Sequence, residues 1–422
     1  MLTGAPRGVK DILPEAAVHW QYLEATIRQI CDCYGYQEIR TPVFEHTELF
    51  KRGIGDATDI VDKEMYTFDD RGGRSLTLRP ENTAAVVRAY IEHKLYADTP
   101  LFKTFYIGPM FRYDRPQAGR FRQFHQFGVE AIGLSAPAVD AEIILLAVAF
   151  FHKLGLTELK LLLNSVGCPD CRPFYRQILL DFFRGQAADL CFDCRNRLER
   201  NPLRIFDCKE ASCQTAITGA PLLREHLCGG CREHFARLQE LLRAVKVDFS
   251  LDDKLVRGLD YYTRTAFEVQ YTPLGAQSAV CGGGRYDGLV AECGGEPTPG
   301  IGFAVGLERL LLALESQNLL PAGRQNTDVF IIHAGALPAA FALSAKLRAA
   351  GVKTGLDFSG RGLKSQLKLA NKLTAAHVLI IGEDELKQGV VTYKNMQTGE
   401  QERLPLENTD CIMTKIGVRD DK

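Results

Sequence analysis

Hydrophobic residues recur at helical spacing in the first long segment of the chain. Trp20, Leu23, Ile27 and Ile30 follow one another every three or four residues, up to Tyr34. This spacing places apolar side chains on one helix face and predicts a helix over about residues 14–34. A proline at its start and a glycine just after its end agree with these bounds.

Farther along, apolar and polar residues alternate, as in half-buried strands. The alternation predicts strands over residues 36–41, 75–79, 122–133 and 266–271. Their connections are hairpin-like or irregular more than helical, which favours a mostly antiparallel sheet. The predicted fold class is therefore an α+β core built on that sheet, from residues 1–165 and 247–320.

Two further regions interrupt or follow this core. Residues 166–246 hold eight clustered cysteines without a strand pattern, which indicates an inserted small domain. Residues 321–327 have the composition of a linker. From residue 328 to 422, predicted strands alternate with helices, so we expect a separate C-terminal α/β domain with a mostly parallel sheet.

Composition limits the classes of function. The 422 residues carry a net charge of −1, so a nucleic-acid partner would have to be held by local basic patches. No signal peptide is visible, and the most apolar run, Ile143–Phe151, is too short to cross a bilayer. We therefore expect a cytoplasmic protein without membrane association, whose thirteen cysteines do not form a disulfide framework.

The stretch FRYDRPQAGRFRQFHQFGVEAIG combines an arginine-rich loop with a strand. On that strand, period two places Gln126, Gly128 and Glu130 on one face, where a glycine would leave room for a small polar ligand. An edge strand with a solvated polar face is the alternative interpretation. The four preceding arginines favour an anion site instead. His125 is interpreted as a packed or surface side chain and not as a catalyst.

A second stretch, GIGFAVGLERLLL, leads from an apolar strand into a helix with Glu308 and Arg309 in its first turn. Such an arginine can reach a polyphosphate at the strand end, although an ordinary surface ion pair is the alternative. GGGRYDG lacks the spacing of a dinucleotide-binding loop, and no P-loop sequence occurs.

These stretches resemble the second and third signature motifs of the class II aminoacyl-tRNA synthetases. YGYQEIRTPVFEHTELF resembles the first motif, a helix–strand element that forms a two-fold interface, and this implies a homodimer. RGLDYY and GGGRYDGL resemble the two peptides that mark the histidyl-tRNA synthetases within the class. Together with RPENTAAVVRA and the C-terminal domain, the resemblance covers nearly the whole chain.

The resemblance implies a site for ATP, with Mg²⁺, and for L-histidine. Arg112 and Arg257 would be catalytic, and Arg112, Arg120 and Arg309 would contact the phosphates of ATP. The implied histidine-binding residues are Glu81, Thr83, Arg112, Gln126, Glu130, Arg257, Tyr261, Tyr262 and Tyr286. Among them, Glu130 and Tyr262 would bond the two imidazole nitrogens, while Glu81, Thr83 and Gln126 would hold the α-amino group.

The same resemblance implies histidine tRNA as a partner. Arg115 and Gln117 would meet the acceptor end, which carries an extra 5′ guanosine. In the C-terminal domain, Lys364, Lys368 and Lys372 recur every fourth residue after Arg361 and form one basic stripe on a predicted helix. A solvated helix face is the alternative interpretation of this stripe.

Two departures and two rival functions accompany the resemblance. Asn82 stands where a glycine is expected, which puts the contact of Thr83 in doubt, and Asp114 replaces a frequent glutamate. The nearest rival is a non-catalytic, histidine-sensing regulatory subunit of ATP phosphoribosyltransferase, although such paralogues lack a C-terminal anticodon-binding domain. A generic ATP-dependent carboxylate ligase is a third interpretation and would need no RNA-binding domain.

The cysteines of the inserted region have the spacing of structural zinc sites. Cys168 and Cys171 are separated by nineteen residues from Cys191 and Cys194, which predicts one Cys₄ site. A weaker second set comprises Cys208, Cys213, Cys228 and Cys231. Pairing across the sets is possible, and buried reduced thiols are the alternative. A module with little core of its own would take folding free energy from the metal.

Overall fold

The computed structural model describes residues 4–54, 58, 60–117, 119–208, 210–256, 259, 261–322 and 327–417. The chain divides into two compact units, Met1–Pro321 and Ala322–Lys422. The domain boundaries predicted within the first unit stay a prediction.

The first unit opens with a long amphipathic helix, as predicted. Helix α1 spans Pro14–Cys33 and buries Leu23, Ile27 and Ile30 against the core. The elements that follow are β1 (Gln37–Glu38), β2 (Phe44–His46), α2 (Thr47–Ile54), β3 (Tyr66–Asp69), β4 (Ser75–Leu78), α3 (Thr83–Glu92), β5 (Phe102–Phe111), β6 (Gln123–Ile132), α4 (Pro137–Lys153) and β7 (Leu159–Ser165).

The predicted strand over residues 36–41 is shorter than expected. Only the two residues of β1 pair with β5, and the chain then leaves the sheet. The guanidinium of Arg79 explains the early end, since its Nη1 donates to the carbonyl of Thr41 at 3.1 Å and contacts that of Pro42 at 3.4 Å. These carbonyls are satisfied by a side chain and need no strand partner.

Helices α5–α8 form the cysteine-rich stretch, and its described residues from 166 to 249 contain no strand. They span Cys171–Arg184, Phe192–Arg200, Ala211–Ile217 and Gly229–Ala244. Leu179, Phe183, Ile205 and Ile217 belong to a hydrophobic cluster that lies within this stretch. The expectation that the module has little core of its own was therefore wrong, because helices supply apolar faces that the search for strands overlooked.

The chain then returns to the core. Its remaining elements are β8 (Ser250–Leu251), β9 (Thr263–Tyr271), β10 (Ala279–Arg285), α9 (Leu289–Glu292), β11 (Gly300–Gly306) and α10 (Leu307–Ser316). Eight strands form one sheet in the order β1-β5-β6-β11-β10-β9-β7-β8. Its inner pairs are antiparallel and its two edge pairs are parallel, so the α+β fold on a mostly antiparallel sheet is confirmed. Strands β2, β4 and β3 form a separate small sheet.

The second unit is an α/β domain, as predicted. Its elements are β12 (Val329–His333), α11 (Leu337–Ala349), β13 (Thr354–Leu356), α12 (Leu363–Lys372), β14 (His377–Ile381), α13 (Glu383–Gln388), β15 (Val390–Asn395), β16 (Gln401–Pro405) and α14 (Thr409–Lys415). Strands β13, β12 and β14 are parallel. The hairpin β15–β16, which was missing from the prediction, adds two antiparallel pairs, so the sheet is mixed and the expectation of a mostly parallel sheet was wrong.

None of the helices in the described part of the chain combines the length and apolar character that crossing a bilayer requires.

Candidate active site

A cavity lies over the middle of the eight-stranded sheet, where β6, β11 and β10 run side by side. Strand β6 is central and not an edge, which removes the alternative of a solvated polar face. Most of the predicted site residues line this cavity: Glu81, Thr83, Arg112, Arg120, Gln126, Glu130, Tyr261, Tyr262, Tyr286 and Arg309. Arg257 lies outside the described residues.

Glu130 occupies one end of the cavity and is almost fully buried. Tyr286 donates a 2.6 Å hydrogen bond to its Oε2, and Thr83 donates one of 2.8 Å to its Oε1. Burial raises the pKa of the Glu130 carboxyl to about 8, even though these two hydroxyls lower it. A carboxyl held in this way can accept a hydrogen bond from a polar ligand.

Tyr106 is a residue of this end that the sequence interpretation missed. It pairs across strands with Gly128, and its hydroxyl lies 3.5 Å from Glu130 Oε1. A Cβ atom at Gly128 would collide with the Tyr106 ring, so the space beside this glycine holds an aromatic side chain. The expectation of a ligand against bare backbone was therefore wrong at Gly128. The antiparallel pairing of β5 with β6 was the signal that would have placed Tyr106 there.

Glu81 lies beside Thr83 at the beginning of helix α3. Its carboxylate accepts hydrogen bonds from the backbone N–H of Thr83 at 2.6 Å and of Ala84 at 3.0 Å, which caps the helix. Burial raises the pKa of Glu81, although both N–H groups lower it. Asn82 has φ −120° and ψ −7°, a conformation open to residues other than glycine, so this departure does not strain the turn.

Gln126 gives the clearest indication that the cavity binds a polar ligand. Its Oε1 is buried, and within the described part of the chain it has no hydrogen-bond partner. Buried acceptors are rarely left unpaired, because the loss of water costs about 1–3 kcal/mol. A ligand that brings an N–H donor to this side of the cavity would satisfy the group.

The opposite end of the cavity is lined by cations. The Nε of Arg112 donates to the Pro80 carbonyl at 2.8 Å, and Arg309 Nη1 donates to that of Ala279 at 3.1 Å. Arg120 forms an ion pair with Asp114. Burial lowers the pKa of Arg309, and the positive charges of Arg120 and Arg112 lower it further. Three guanidiniums that destabilise one another form a site for a multiply charged anion.

The contacts of Glu308 and His125 show the role of each of these two side chains. Glu308, at the beginning of α10, accepts hydrogen bonds from the backbone N–H of His125 at 2.9 and 3.0 Å and lies 2.9 Å from its Nδ1. The imidazole also packs edge-on against Trp20. His125 is thus a packed side chain, and Glu308 serves to join α10 to β6.

The residues predicted to contact RNA are exposed in each of the two units. Arg115 and Gln117 are exposed in the loop between β5 and β6. In the second unit, Lys364, Lys368 and Lys372 are exposed on helix α12. The opposite face of α12 is buried through Gln366 and Ala370, so the three lysines share the solvent side. Arg361 is also exposed, just before this helix.

The cysteines are grouped differently from the prediction. Cys168 and Cys171 meet Cys228 and Cys231, whereas Cys191 and Cys194 meet Cys208 and Cys213. Both predicted sets were therefore wrong, that of Cys168, Cys171, Cys191 and Cys194 and that of Cys208, Cys213, Cys228 and Cys231. The pairing across the sets, which the sequence left open, is the arrangement found. Helices α5 and α8 begin next to each other and bring the outer pairs together, which linear spacing does not reveal.

Comparison with known proteins adds independent findings. A family model described as histidyl-tRNA synthetase matches residues 8–170 and 215–310, and one described as an anticodon binding domain matches residues 326–414. The histidine–tRNA ligase of Pelotomaculum thermopropionicum is 56% identical over 409 residues, which is 96% of each chain.

Solved structures give the same picture of the fold. The structure of apo histidyl-tRNA synthetase from S. aureus matches with a TM-score of 0.82 and 40% identity, over 98% of this chain and 99% of that one. A structure from Bacillus halodurans C, described as an ATP phosphoribosyltransferase regulatory subunit/histidyl-tRNA synthetase, matches with a TM-score of 0.66 over 90% of this chain and 99% of that one. At 22% identity, the latter likeness concerns the fold alone.

Proposed function

Since the chain belongs to the histidyl-tRNA synthetase family and is a histidine–tRNA ligase, we propose how its residues divide the reaction. One observation carries the proposal: a single cavity has a carboxylate and phenol end around Glu130 and a guanidinium end around Arg112 and Arg309. The first end suits an amino acid with a polar ring, and the second suits a triphosphate. Their proximity allows the two substrates to react.

The first step joins the histidine carboxylate to ATP. A carboxylate oxygen forms a bond to the α-phosphorus, and the bond from that phosphorus to the bridging oxygen of pyrophosphate breaks. Negative charge grows on the phosphate oxygens, so the step needs positioning and positive charge more than a base. Arg112 takes the α-phosphate, and Arg120 and Arg309 take the outer phosphates. Arg257 acts between the histidine carboxylate and the α-phosphate, as its position in RGLDYY implies.

The end of the cavity around Glu130 selects histidine. Glu130 accepts the N–H of the imidazole, and the Tyr262 hydroxyl bonds the other ring nitrogen. The unpaired Gln126 Oε1 accepts from the α-amino group, together with Glu81 and Thr83. The rings of Tyr261 and Tyr286 contact each other edge-on, with centroids 5.9 Å apart, and together would form one wall of the pocket. Such a pocket discriminates against side chains that cannot offer one donor and one acceptor.

ATP enters as its Mg²⁺ complex in this proposal. Within the part of the chain that the structure describes, the groups of three or more potential metal ligands are cysteine clusters distant in sequence from the cavity residues. The acidic residues at the phosphate end are engaged, Asp114 with Arg120 and Glu308 with His125. The magnesium would therefore be held by the phosphates, and arginines would supply the remaining charge.

Histidine tRNA would receive the activated histidine through its 3′ end, with release of AMP. Arg115 and Gln117, which are exposed, would meet the acceptor end and its extra 5′ guanosine. The stripe of Lys364, Lys368 and Lys372, with Arg361, would contact phosphates of the anticodon stem-loop, since exposed lysines are the usual partners of RNA phosphates. The matched anticodon-binding model over residues 326–414 supports this assignment.

A homodimer is part of the proposal. Val43, Phe44 and Phe68 are exposed large apolar side chains on or next to the small sheet β2-β4-β3, within or near the first motif. Large apolar groups that cluster on a surface are typical of an interface. We place the protein in the cytoplasm, where its tRNA substrate is found.

The rival functions receive less support. The identity of 56% to a histidine–tRNA ligase spans 96% of both chains, and the second unit matches an anticodon-binding model that a regulatory paralogue lacks. The same model argues against a carboxylate ligase that acts on small molecules.

The proposal is tested by aminoacylation with radioactive histidine. The full chain should charge a histidine tRNA transcript with the extra 5′ guanosine much faster than a transcript without it. Arg115→Ala should reduce the difference in charging rate between the two transcripts. Equal rates with both transcripts would refute the assignment of the loop to the acceptor end.

A further inference from the structure

The eight clustered cysteines form two groups with the geometry of tetrahedral metal sites. In each group the four Sγ atoms lie within 4.8 Å of one another. Cys168 Sγ lies 3.7 Å from Cys171 Sγ and 3.8 Å from Cys228 Sγ, and Cys191 Sγ lies 3.9 Å from Cys208 Sγ. Four sulfurs at about 2.3 Å from a central zinc are roughly 3.8 Å apart. The distances are far too long for disulfides.

Backbone hydrogen bonds to sulfur support the same interpretation. The N–H of Cys231 points to Cys228 Sγ at 3.4 Å, and that of Cys228 to Cys171 Sγ at 3.2 Å. In the second group, the N–H of Cys191 points to Cys213 Sγ at 3.2 Å and that of Cys194 to Cys191 Sγ at 3.5 Å. Donors aimed at sulfur stabilise thiolates, the form that binds a metal.

An arginine follows each CxxC pair and closes its turn. Arg195 donates to the carbonyl of Leu190 at 2.8 Å, and Arg232 to that of Leu227 at 3.2 Å. Each of these carbonyls precedes the first cysteine of the same pair. A Cys₄ site with a divalent ion has a net charge of −2, so a cation beside each pair is favourable.

The third arginine of this series also reaches beyond its own turn. Arg172 contacts the Val166 carbonyl at 3.4 Å, and it also donates to the backbone carbonyl of Tyr262, a residue of the proposed histidine pocket. The first group is thereby tied to the cavity by a direct contact. In the second group, α6 packs against α5 and the turn Pro202–Asp207, all within the cysteine-rich stretch.

A second connection runs through helix α8, which begins at the first group. His234 on this helix lies 2.8 Å from the buried carboxylate of Asp140 in α4. Arg285 donates to the other oxygen of Asp140 at 2.8 Å. The next residue is Tyr286, whose hydroxyl bonds Glu130. A shift of α8 would therefore be transmitted through Asp140 and Arg285 to Tyr286, at the Glu130 end of the cavity.

We propose that the chain binds two zinc ions and that they differ in role. The site of Cys168, Cys171, Cys228 and Cys231 positions the histidine pocket through Arg172 and His234. The site of Cys191, Cys194, Cys208 and Cys213 stabilises the helical module alone. Each thiol releases its proton when the ion binds. The family model leaves residues 171–214 unmatched, a range that holds all four cysteines of the second site but only Cys171 of the first.

The roles assigned to the two sites rest on the proposed histidine pocket, whereas the ions themselves do not. Metal analysis of the full chain, purified without chelator, should give two zinc ions per chain. Cys231→Ser and Cys194→Ser form a matched pair, since each replaces the second cysteine of a pair at a helix start. Each variant should retain one ion. A zinc content near zero, with eight freely titrating thiols, would overturn both sites.

Two arginine variants separate the roles without removing a ligand. Arg172→Ala and Arg195→Ala should both retain two zinc ions. In ATP–pyrophosphate exchange, Arg172→Ala should raise the KM for histidine at least fivefold and leave the KM for ATP within twofold. Arg195→Ala should change neither constant. An unchanged histidine KM in Arg172→Ala, with two ions bound, would overturn the positioning role, and this readout also serves if Cys231→Ser does not fold.

The outcome is distinguishable from a failure of the proposed pocket. If Glu130→Gln also left the histidine KM unchanged, the pocket assignment would be wrong and the zinc count would still stand. If Glu130→Gln raised it and Arg172→Ala did not, only the positioning role would be refuted.

Discussion

Several charged side chains are buried in the first unit, whereas the lysines proposed to bind RNA are exposed in the second. In the first unit, Glu81, Glu130 and Arg285 are buried, each with hydrogen-bond partners arranged around it. In the second unit, Lys364, Lys368 and Lys372 are exposed on one face of a short helix. Burying a charge costs free energy and requires specific partners around it. An exposed lysine costs little free energy and attracts anions through its electrostatic field.

This difference separates two kinds of recognition. A small substrate is discriminated by a few desolvated groups, where one missing partner has a large effect. A long RNA is held by several solvated cations, each with a small effect that depends on salt. Changes to the buried cavity residues of the first unit should therefore affect adenylation, and changes to the lysine stripe of the second unit should affect only the use of tRNA.

The largest effect is expected for Arg257→Ala. Its proposed role is confined to charge that develops in the transition state, and loss of one such donor costs about 3–4 kcal/mol, or roughly 10²–10³ in kcat. ATP–pyrophosphate exchange measures the loss, and thermal unfolding should remain unchanged. His125→Ala, a packed residue, should lose less than about tenfold. Near-normal ATP–pyrophosphate exchange by the Arg257→Ala variant would contradict the proposed mechanism.

A smaller effect is expected for Glu130→Gln. A bound imidazole N–H would stabilise the carboxylate form of Glu130, and an amide cannot provide this charged hydrogen bond, worth about 1.5–3 kcal/mol, so the KM for histidine should rise roughly 10–100-fold. The KM for ATP should stay within about twofold, since the phosphate end is unaltered. Equal losses for both substrates would mean that Glu130 only supports the fold.

In the second unit, a triple change of Lys364, Lys368 and Lys372 to alanine should raise the KM for tRNA by about tenfold. The salt dependence should weaken as well, because each lost phosphate contact lowers the slope by about one. Exchange without tRNA should be unchanged. Lys346, Lys353 and Lys387 are exposed in the same unit, and their triple alanine variant is the control for total charge. If both variants behave alike, the stripe is only a solvated face.

The last prediction concerns how the stability of the protein depends on pH. Folded Glu130 has a pKa of about 8, above the usual 4.5, so between these values the folded state holds a proton that the unfolded state has lost. Stability should therefore fall as pH rises from about 5 to 8, by at most about 1.4 kcal/mol per pH unit from this group. Urea unfolding of wild type and Glu130→Gln gives the difference. A parallel pH profile in both would contradict the raised pKa.

Much of the fold was predictable because periodicity reports directly on burial. Helix α1, strand β6 and the alternating elements from β12 to β14 follow from local pattern. Contacts between residues that are distant in sequence were harder to predict. Tyr106 is close to Glu130 only because β5 and β6 are antiparallel, and the cysteine groups interleave only because α5 and α8 begin side by side. The hairpin β15–β16 was missed because its strands are rich in polar residues.

The central claim is that the buried groups of the first unit select histidine for activation. ATP–pyrophosphate exchange by the full chain, with each of the standard amino acids in turn, tests it most directly. The account predicts exchange with histidine that exceeds every other amino acid by at least about 10³-fold, as for pockets that hydrogen-bond a polar side chain. Comparable exchange with another amino acid, or none with histidine, would contradict it.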